Sequence, residues 1–392
     1  MLESPAVSER RWTAPLAERW CDLRNRILTS QNFQYWAAKL PFSRSVARYA
    51  ARDSFDLVAG FVYSQVLFAC VQLRLFEHLL GGSRRLPYLA RRMGLKLEPA
   101  ERLLRAAQSL KLVTQISPDR YCLGPRGAAI AGNPGILSMI AHHALLYRDL
   151  ADPVALLRGE ERNTELSHYW SYCTDNPNAL TATDVASYTQ LMSQSQTFVA
   201  AQIIDAYPFH RHRRILDIGG GEGTFLMAVA DRVPTIDLTL FDVPPVADRG
   251  RENFLARGLG GRATAIGGDF FKDALPRGAD LVSLVRVVHD HDDAAVMQLL
   301  RRIRAGMDDC ATLLIAEPMA GAASGATVGD AYFGFYLLAM GRGQARTARE
   351  LTDMLSAAGF ADIREHATAI PLQCGLVSAS VNSKKRKATL TS

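Results

Sequence analysis

The chain has 392 residues, 48% of them hydrophobic and 21% charged, with a formal net charge of +6. That balance excludes a disordered or collagen-like chain and predicts a globular protein of two or more domains. Its six cysteines form no CxxC pair, which argues against a disulfide scaffold and a Cys-based zinc site and for a reduced, cytosolic chain. A mild basic surplus suits an anionic partner without choosing one.

The first residues, "MLESPAVSERRW", carry no apolar core, so no secretory signal is expected. Residues 1–45 read as an arm in which Trp12, Trp20, Phe33, Tyr35 and Trp36 sit among arginines. Two readings stay open: an amphipathic segment on a membrane surface, or a packed arm in a dimer. The uncharged run Leu57–Leu73 is shorter than the roughly 20 apolar residues of a bilayer span and is expected as a buried helix.

Residues 46–200 are expected to be helical. The stretch from Leu86 to Val113 has apolar spacings of three and four around a "GLKLEP" break, and "TQISPDRYCLG" suggests a short wing after it. This helix-turn-helix pattern raises a DNA-binding regulator as one reading. Against it, the second helix spends Leu103, Leu104, Ala107 and Leu110 on a core face and offers few groups to base edges. A structural, dimerising role is the expectation.

Residues 201–380 change period. Short β-rich runs ("RRILDIGGG", "IDLTLFDV", "ATAIGGDFF", "ADLVSLVRVV", "ATLLIAEPM") alternate with helical stretches, which predicts an α/β domain on a parallel sheet. After the helix "TARELTDMLSAAGF" come two more strand-like pieces. Residues 381–392 read as a flexible tail with a basic cluster, Lys384–Lys387.

"ILDIGGGEGTF" is a strand, a glycine turn and a helix start. Gly219 and Gly221 permit the sharp turn and a close approach to a ligand at the carboxyl edge of the sheet. A dinucleotide fingerprint has G-x-G-x-x-G, but here Thr224 takes the last position. Asp217 at the strand end disfavours a pyrophosphate and suits an ammonium. Asp242, about twenty residues on, stands where an acid accepts from ribose hydroxyls. Asp269 and Phe270 end the third strand as an adenine acceptor and an aromatic wall. The ordered set points to S-adenosylmethionine rather than a nicotinamide cofactor, with Arg286 at the end of the fourth strand as a further cofactor contact.

"VRVVHDHDD" follows that strand. H-x-H-x-D is shared with some metal sites, yet no later His or Cys motif completes a ligand set. Asp292 and Asp293 precede a helix and read as its cap and first turn. No metal is expected. His289 is then the candidate general base that takes a proton from an alcohol during methyl transfer. Glu317, at the end of the next strand, is placed to orient its ring. Tyr332, Phe333, Tyr336 and Met340 on "DAYFGFYLLAM" are candidates for an apolar substrate pocket, with His142, His143, Tyr188 and Met192 as weaker ones.

The motifs "LDIGGGEGTF", "LFDVP", "GDFF", "RVVHDHDD", "LLIAEP" and "ARTARELTDMLSAAGF" resemble those of the plant-type small-molecule O-methyltransferases and their bacterial relatives. The resemblance spans residues 55–378. It implies a Rossmann-like class I methyltransferase domain with a mostly parallel seven-stranded sheet. An α-helical winged-helix dimerisation domain would precede it, and the protein would be a homodimer. It also implies His289 as the catalytic histidine, Asp290 beside it, and Glu317 as the supporting glutamate. Two departures stand out: His291 where the family often has Trp, and Ala345 where a second glutamate usually precedes Arg346 and Thr347. The N-terminal section is similar to that of the hydroxyneurosporene (demethylspheroidene) O-methyltransferases of purple-bacterial carotenoid synthesis. That implies methylation of a tertiary hydroxyl on an acyclic carotenoid, and peripheral membrane contact. A phenol or a bacteriochlorophyll-precursor carbon is the alternative acceptor.

Overall fold

In this computed structural model the structure describes residues 16–169, 196, 199–321, 327–371 and 374–381. Tyr188, Met192 and the basic cluster Lys384–Lys387 lie outside the described residues.

The N-terminal half is helical. It contains α1 (Leu16–Leu28), α2 (Gln31–Lys39), α3 (Arg44–Gln72), α4 (Leu75–Leu80), α5 (Leu86–Arg92) and α6 (Leu97–Ser109), followed by α7 (Pro125–Ala131), α8 (Pro134–Asp149), α9 (Pro153–Leu157) and α10 (Glu165–Tyr169). Three short strands, β1 (Arg84–Arg85), β2 (Val113–Ser117) and β3 (Arg120–Leu123), form an antiparallel wing in the order β1-β3-β2. Helices α5 and α6 are the expected helix-turn-helix. Leu104 and Ala107 are buried, and Leu103 and Leu110 pack against the same cluster with Leu75, Phe76, Leu89 and Tyr121. On the exposed face of α6, Arg102 and Arg105 pair with Glu98 and Glu101 one turn earlier. Its cations are therefore balanced locally, a poor surface for phosphates.

One expectation is corrected. The run Leu57–Leu73 belongs to the 29-residue helix α3, long and apolar enough to cross a membrane by length and composition, yet little of it is buried. Only Cys70 is fully enclosed, whereas Leu57 is 83% and Phe61 66% exposed. Packing explains the difference. The C-terminal turns, with Val66, Leu67 and Val71, reach the core of the helical half. The middle of the helix stays largely exposed among the described residues, with Phe61 reaching only Tyr147 of α8, ring centroids 6.5 Å apart.

The C-terminal half is a seven-stranded sheet in the order β6-β5-β4-β7-β8-β10-β9. Strands β4 (Arg214–Ile218), β5 (Asp237–Asp242), β6 (Ala263–Gly267), β7 (Leu281–Val285) and β8 (Thr312–Glu317) run parallel, while β9 (Ala361–His366) and β10 (Gly375–Ser380) close one side antiparallel. Crossovers are made by α11 (Thr224–Arg232), α12 (Pro244–Ala256), α13 (Asp293–Gly306) and α15 (Ala348–Ala357). Two apolar clusters cover the two faces of this sheet. Every residue of β7 and β8 is buried, as expected for central parallel strands covered on both faces. Between β8 and α15, a π-helical turn over Thr327–Phe333 leads into α14 (Gly334–Met340), which packs on α8, α9 and α10.

Candidate active site

The carboxyl edge of the sheet gathers the acids named from the sequence. Asp217 is the residue before the last of β4 and Asp242 ends β5, and both are buried. Strand β7 pairs with β4 so that Ser283 lies beside Asp217, and its hydroxyl donates to Asp217 Oδ1 at 2.6 Å. Asp217 Oδ2 is buried and has no hydrogen-bond partner among the described residues. Burial pushes this carboxyl up to about 7, with Ser283 opposing and Asp242 adding to the rise. Asp242 is likewise pushed up to about 7 by burial, against the N–H groups of Gly221 (2.8 Å) and Val243 (2.7 Å) that donate to it.

The glycine turn is therefore tied to β5 through Asp242. Gly219 and Gly221 both take positive φ, +70° and +62°, which L side chains rarely adopt. An orphaned buried acceptor beside such a turn fits a ligand that brings an ammonium donor, as S-adenosylmethionine does. Asp269 follows β6, buried, accepting from the Phe271 N–H at 2.8 Å with Lys272 3.4 Å away. Phe270 is half-buried, its ring edge-on to His291 at 5.7 Å. Arg286 leaves β7 at φ +59°, an uncommon backbone for a residue with a Cβ, and its charge acts on both His289 and Asp290.

His289 lies in a short 3-10 turn, Val288–Asp290, directly after β7. Its Nδ1–H donates to Glu317 Oε2, and the other oxygen of Glu317 accepts from the N–H groups of Val287 (2.9 Å) and Val288 (2.7 Å). Glu317 is thus fixed by three donors and holds the imidazole in one orientation. Asp290 Oδ1 lies 3.1 Å from Nε2. Burial opposes the charge of His289, but Asp290 and Glu317 together outweigh it, so its pKa stands above the ordinary imidazole value. Asp290 is itself raised to about 6 by burial, with His289 opposing. His291 differs: burial, then its cationic neighbours, push it down to about 4, so it is a neutral ring packed on Phe270 and Phe271. Among the described residues no group of His, Cys, Asp and Glu is arranged to hold a metal ion.

Asp292 is the cap residue of α13 and Asp293 lies in its first turn, as expected, but the Asp292 carboxylate makes no capping bond and accepts from the Gly343 N–H at 3.0 Å. Asp293 opens the helix and pairs with Arg346 at 2.7 Å. Arg346 was not singled out from the sequence. Its buried guanidinium also donates to the carbonyls of Val288 (2.9 Å) and His291 (2.8 Å), bracketing the turn that carries His289. Gly343, at φ +80°, lies so close that a Cβ there would meet the His289 carbonyl at 2.3 Å. Ala345 packs against the apolar cluster of Tyr336, Leu337 and Met340, and the carboxylates beside the imidazole are those of Glu317 and Asp290. Ser283, also missed, had a signal: a lone hydroxyl within the otherwise apolar strand "LVSLV", where a buried polar group needs a partner.

The proposed pocket residues divide. Phe333 meets His289 edge to face, centroids 5.9 Å apart. Tyr332 follows at 5.1 Å, then His143 at 5.6 Å, Tyr147 at 5.7 Å and Phe68 of α3 at 5.7 Å, a continuous series of rings leading away from the imidazole. His143 Nε2 lies 3.0 Å from the Tyr332 hydroxyl. Tyr336 and Met340 are buried with Leu146, Leu156 and Leu166 in a cluster against which Tyr332 and Phe333 also pack. The Tyr336 hydroxyl meets His142 Nε2 at 2.7 Å, and burial pushes His142 down to about 4.

The O-methyltransferase domain family matches residues 147–361, and the O-methyltransferase dimerisation domain family matches residues 55–131. The demethylspheroidene O-methyltransferase of Cereibacter sphaeroides is 40% identical over 339 residues, covering 86% of this chain and 89% of that enzyme. The enzyme of the same name from Rhodobacter capsulatus is 38% identical over 381 residues, 96% of this chain and 94% of that one. Among solved structures, human N-acetylserotonin methyltransferase in complex with S-adenosylmethionine superposes with a TM-score of 0.72 at 26% identity, over 85% of this chain and 98% of that one. The mitomycin 7-O-methyltransferase superposes at 0.71 with 25% identity, over 86% and 99%. The DNA-binding reading of the winged helix finds no support in these relatives, and its place is taken by the dimerisation domain. The chain belongs to the O-methyltransferase family and is an S-adenosylmethionine-dependent O-methyltransferase.

Proposed function

We propose that the enzyme methylates a tertiary hydroxyl on an acyclic carotenoid, with His289 as general base. The observation that carries the acceptor is the ring series from Phe333 to Phe68, a run of aromatic contacts that begins at the base and whose chemistry suits a long unsaturated chain. The identity to the two demethylspheroidene O-methyltransferases supports it. When bound, S-adenosylmethionine supplies the methyl group on a positive sulfur. Asp217 would offer its orphaned oxygen to the ammonium, Asp242 would accept from the ribose, and Gly219, Gly221, Asp269, Phe270 and Arg286 would line the rest of that site.

Glu317 keeps the Nδ1 proton in place, so the Nε2 lone pair of His289 receives the proton of the acceptor hydroxyl. The cation formed is stabilised between Glu317 and Asp290. Such a base contributes about 10²–10⁴-fold, with positioning supplying much of the remainder. Tyr332 and Phe333 line the acceptor side in this reading, while Tyr336 and Met340 hold α14 in place. The division into an arm (1–45), a helical dimerising part (46–200), a methyltransferase part (201–380) and a basic tail (381–392) completes the reading, as does peripheral membrane contact by an enzyme whose acceptor dissolves in lipid.

Incubation with methyl-labelled cofactor and a detergent-solubilised pigment extract, followed by mass spectrometry, tests the acceptor. The label is expected in a methoxy group on an acyclic carotenoid. Label in a phenol or on a carbon of a tetrapyrrole contradicts the proposal.

A further inference from the structure

Helices α1 and α2 bury no residue. At 3.6 residues per turn, Leu16, Trp20, Leu23 and Ile27 of α1 fall within an arc of about 60°. All four are exposed, Leu16 by 84% and Trp20 by 65%. Arg24 flanks that arc on one side and Arg19 and Arg26 on the other, while Glu18 and Asp22 occupy the opposite face. Helix α2 adds exposed Phe33 and Trp36, and Lys39 lies 4.1 Å from the centre of the Tyr35 ring. Across residues 16–54, seven cations face three acids. This segment also lies ahead of the dimerisation match, which starts at residue 55.

An apolar stripe bordered by arginines, with its acids turned away, is the pattern of a helix lying in a membrane interface. The apolar side chains enter the acyl boundary and the arginines reach the phosphates. We infer that α1 and α2 dock the enzyme on an anionic lipid bilayer, through the Leu16–Trp20–Leu23–Ile27 stripe and its flanking arginines. The inference rests on the reading that the acceptor is membrane-dissolved. Charge complementarity favours lipid over a second copy of this chain, whose own arm carries the same surplus of cations. The exposed apolar turns of α3 from Leu57 onward fall inside the dimerisation match and are left to the partner copy.

Co-sedimentation of the full-length protein with vesicles tests this. Vesicles of phosphatidylcholine with phosphatidylglycerol are compared with vesicles of phosphatidylcholine alone. The wild type is expected to prefer the anionic vesicles and to be released by salt. The triple substitution Arg19→Gln, Arg24→Gln, Arg26→Gln is expected to lower partitioning by about a hundredfold. Trp20→Glu with Leu23→Glu is expected to abolish it while leaving the light-scattering mass and the melting temperature unchanged, since α1 contributes nothing to the core. Vesicle binding that survives both variants overturns the inference, and so does a Trp20→Glu, Leu23→Glu protein that dissociates to monomers. Turnover on a detergent-solubilised acceptor separates the two readings. Docking without any methylation of a hydroxylated acyclic acceptor leaves the surface standing and removes the proposed substrate. Methylation without docking removes the surface alone.

Discussion

The His289 imidazole lies between two carboxylates, and its proton affinity follows from that placement. Removing the charge of Glu317 by Glu317→Gln takes away one of the groups that raise the His289 pKa. The acidic limb of the kcat profile is therefore expected to move to lower pH, because the base loses its proton more readily. The maximal rate should fall about tenfold or more as orientation is lost. A limb that stays in place means that His289 is not the titrating base. Asp217 gives a second prediction. Its folded-state pKa of about 7 lies above that of a free carboxyl, so this group binds more of its proton in the ligand-free folded state than in the unfolded chain, and its own contribution to stability is lost as pH rises from about 4 to about 7. An ammonium beside Asp217 lowers that pKa, so cofactor binding near pH 7 is expected to release protons. Calorimetry in two buffers of different ionisation enthalpy reads this directly, and Asp217→Asn should reduce the release. These acids were legible because each lies at or beside the end of a strand, in order along the sequence. Ser283 was legible only in hindsight, since a hydroxyl in a strand does not say which neighbour it will meet.

At the level of elements, the turn carrying His289 is held by the loop that enters α15. Arg346 ties together Asp293, Val288 and His291, and Gly343 lets the loop backbone press against His289. Arg346→Ala is expected to leave cofactor affinity within a few-fold and to lower kcat about tenfold or more, since an unbraced base spends less time in place. Arg346→Lys should recover little, because one ammonium cannot reach both carbonyls and the carboxylate. Isothermal titration with steady-state kinetics separates these effects. The helix α15 and the alternation of strands with helices were readable from periodicity, while the capping box of Thr347 and Glu350 and the strand order appear only in the fold. The grip of Arg346 was not readable either, because the groups it joins are far apart in sequence and its partners are mostly backbone carbonyls. Asp292 stands at the cap position as read, but a long-range donor, Gly343, captured its side chain, which a local signal does not reveal.

For the whole molecule, the run Leu57–Leu73 shows where one chain's sequence misleads. Its composition predicts burial, and in a single chain most of α3 is bare. Apolar exposure on that scale marks a surface for another molecule, and the dimerisation match begins there, at residue 55. Leu57→Glu with Phe61→Glu is expected to halve the mass seen by light scattering, whereas a dimer that persists places the interface elsewhere. The account as a whole turns on a carboxylate-held cofactor and a separate proton acceptor, so the most direct measurement pairs binding with turnover in His289→Ala. Cofactor affinity by calorimetry is predicted to stay within about threefold of the wild type, while methylation falls by about 10²–10⁴-fold. Near-normal methylation by that variant would contradict the account.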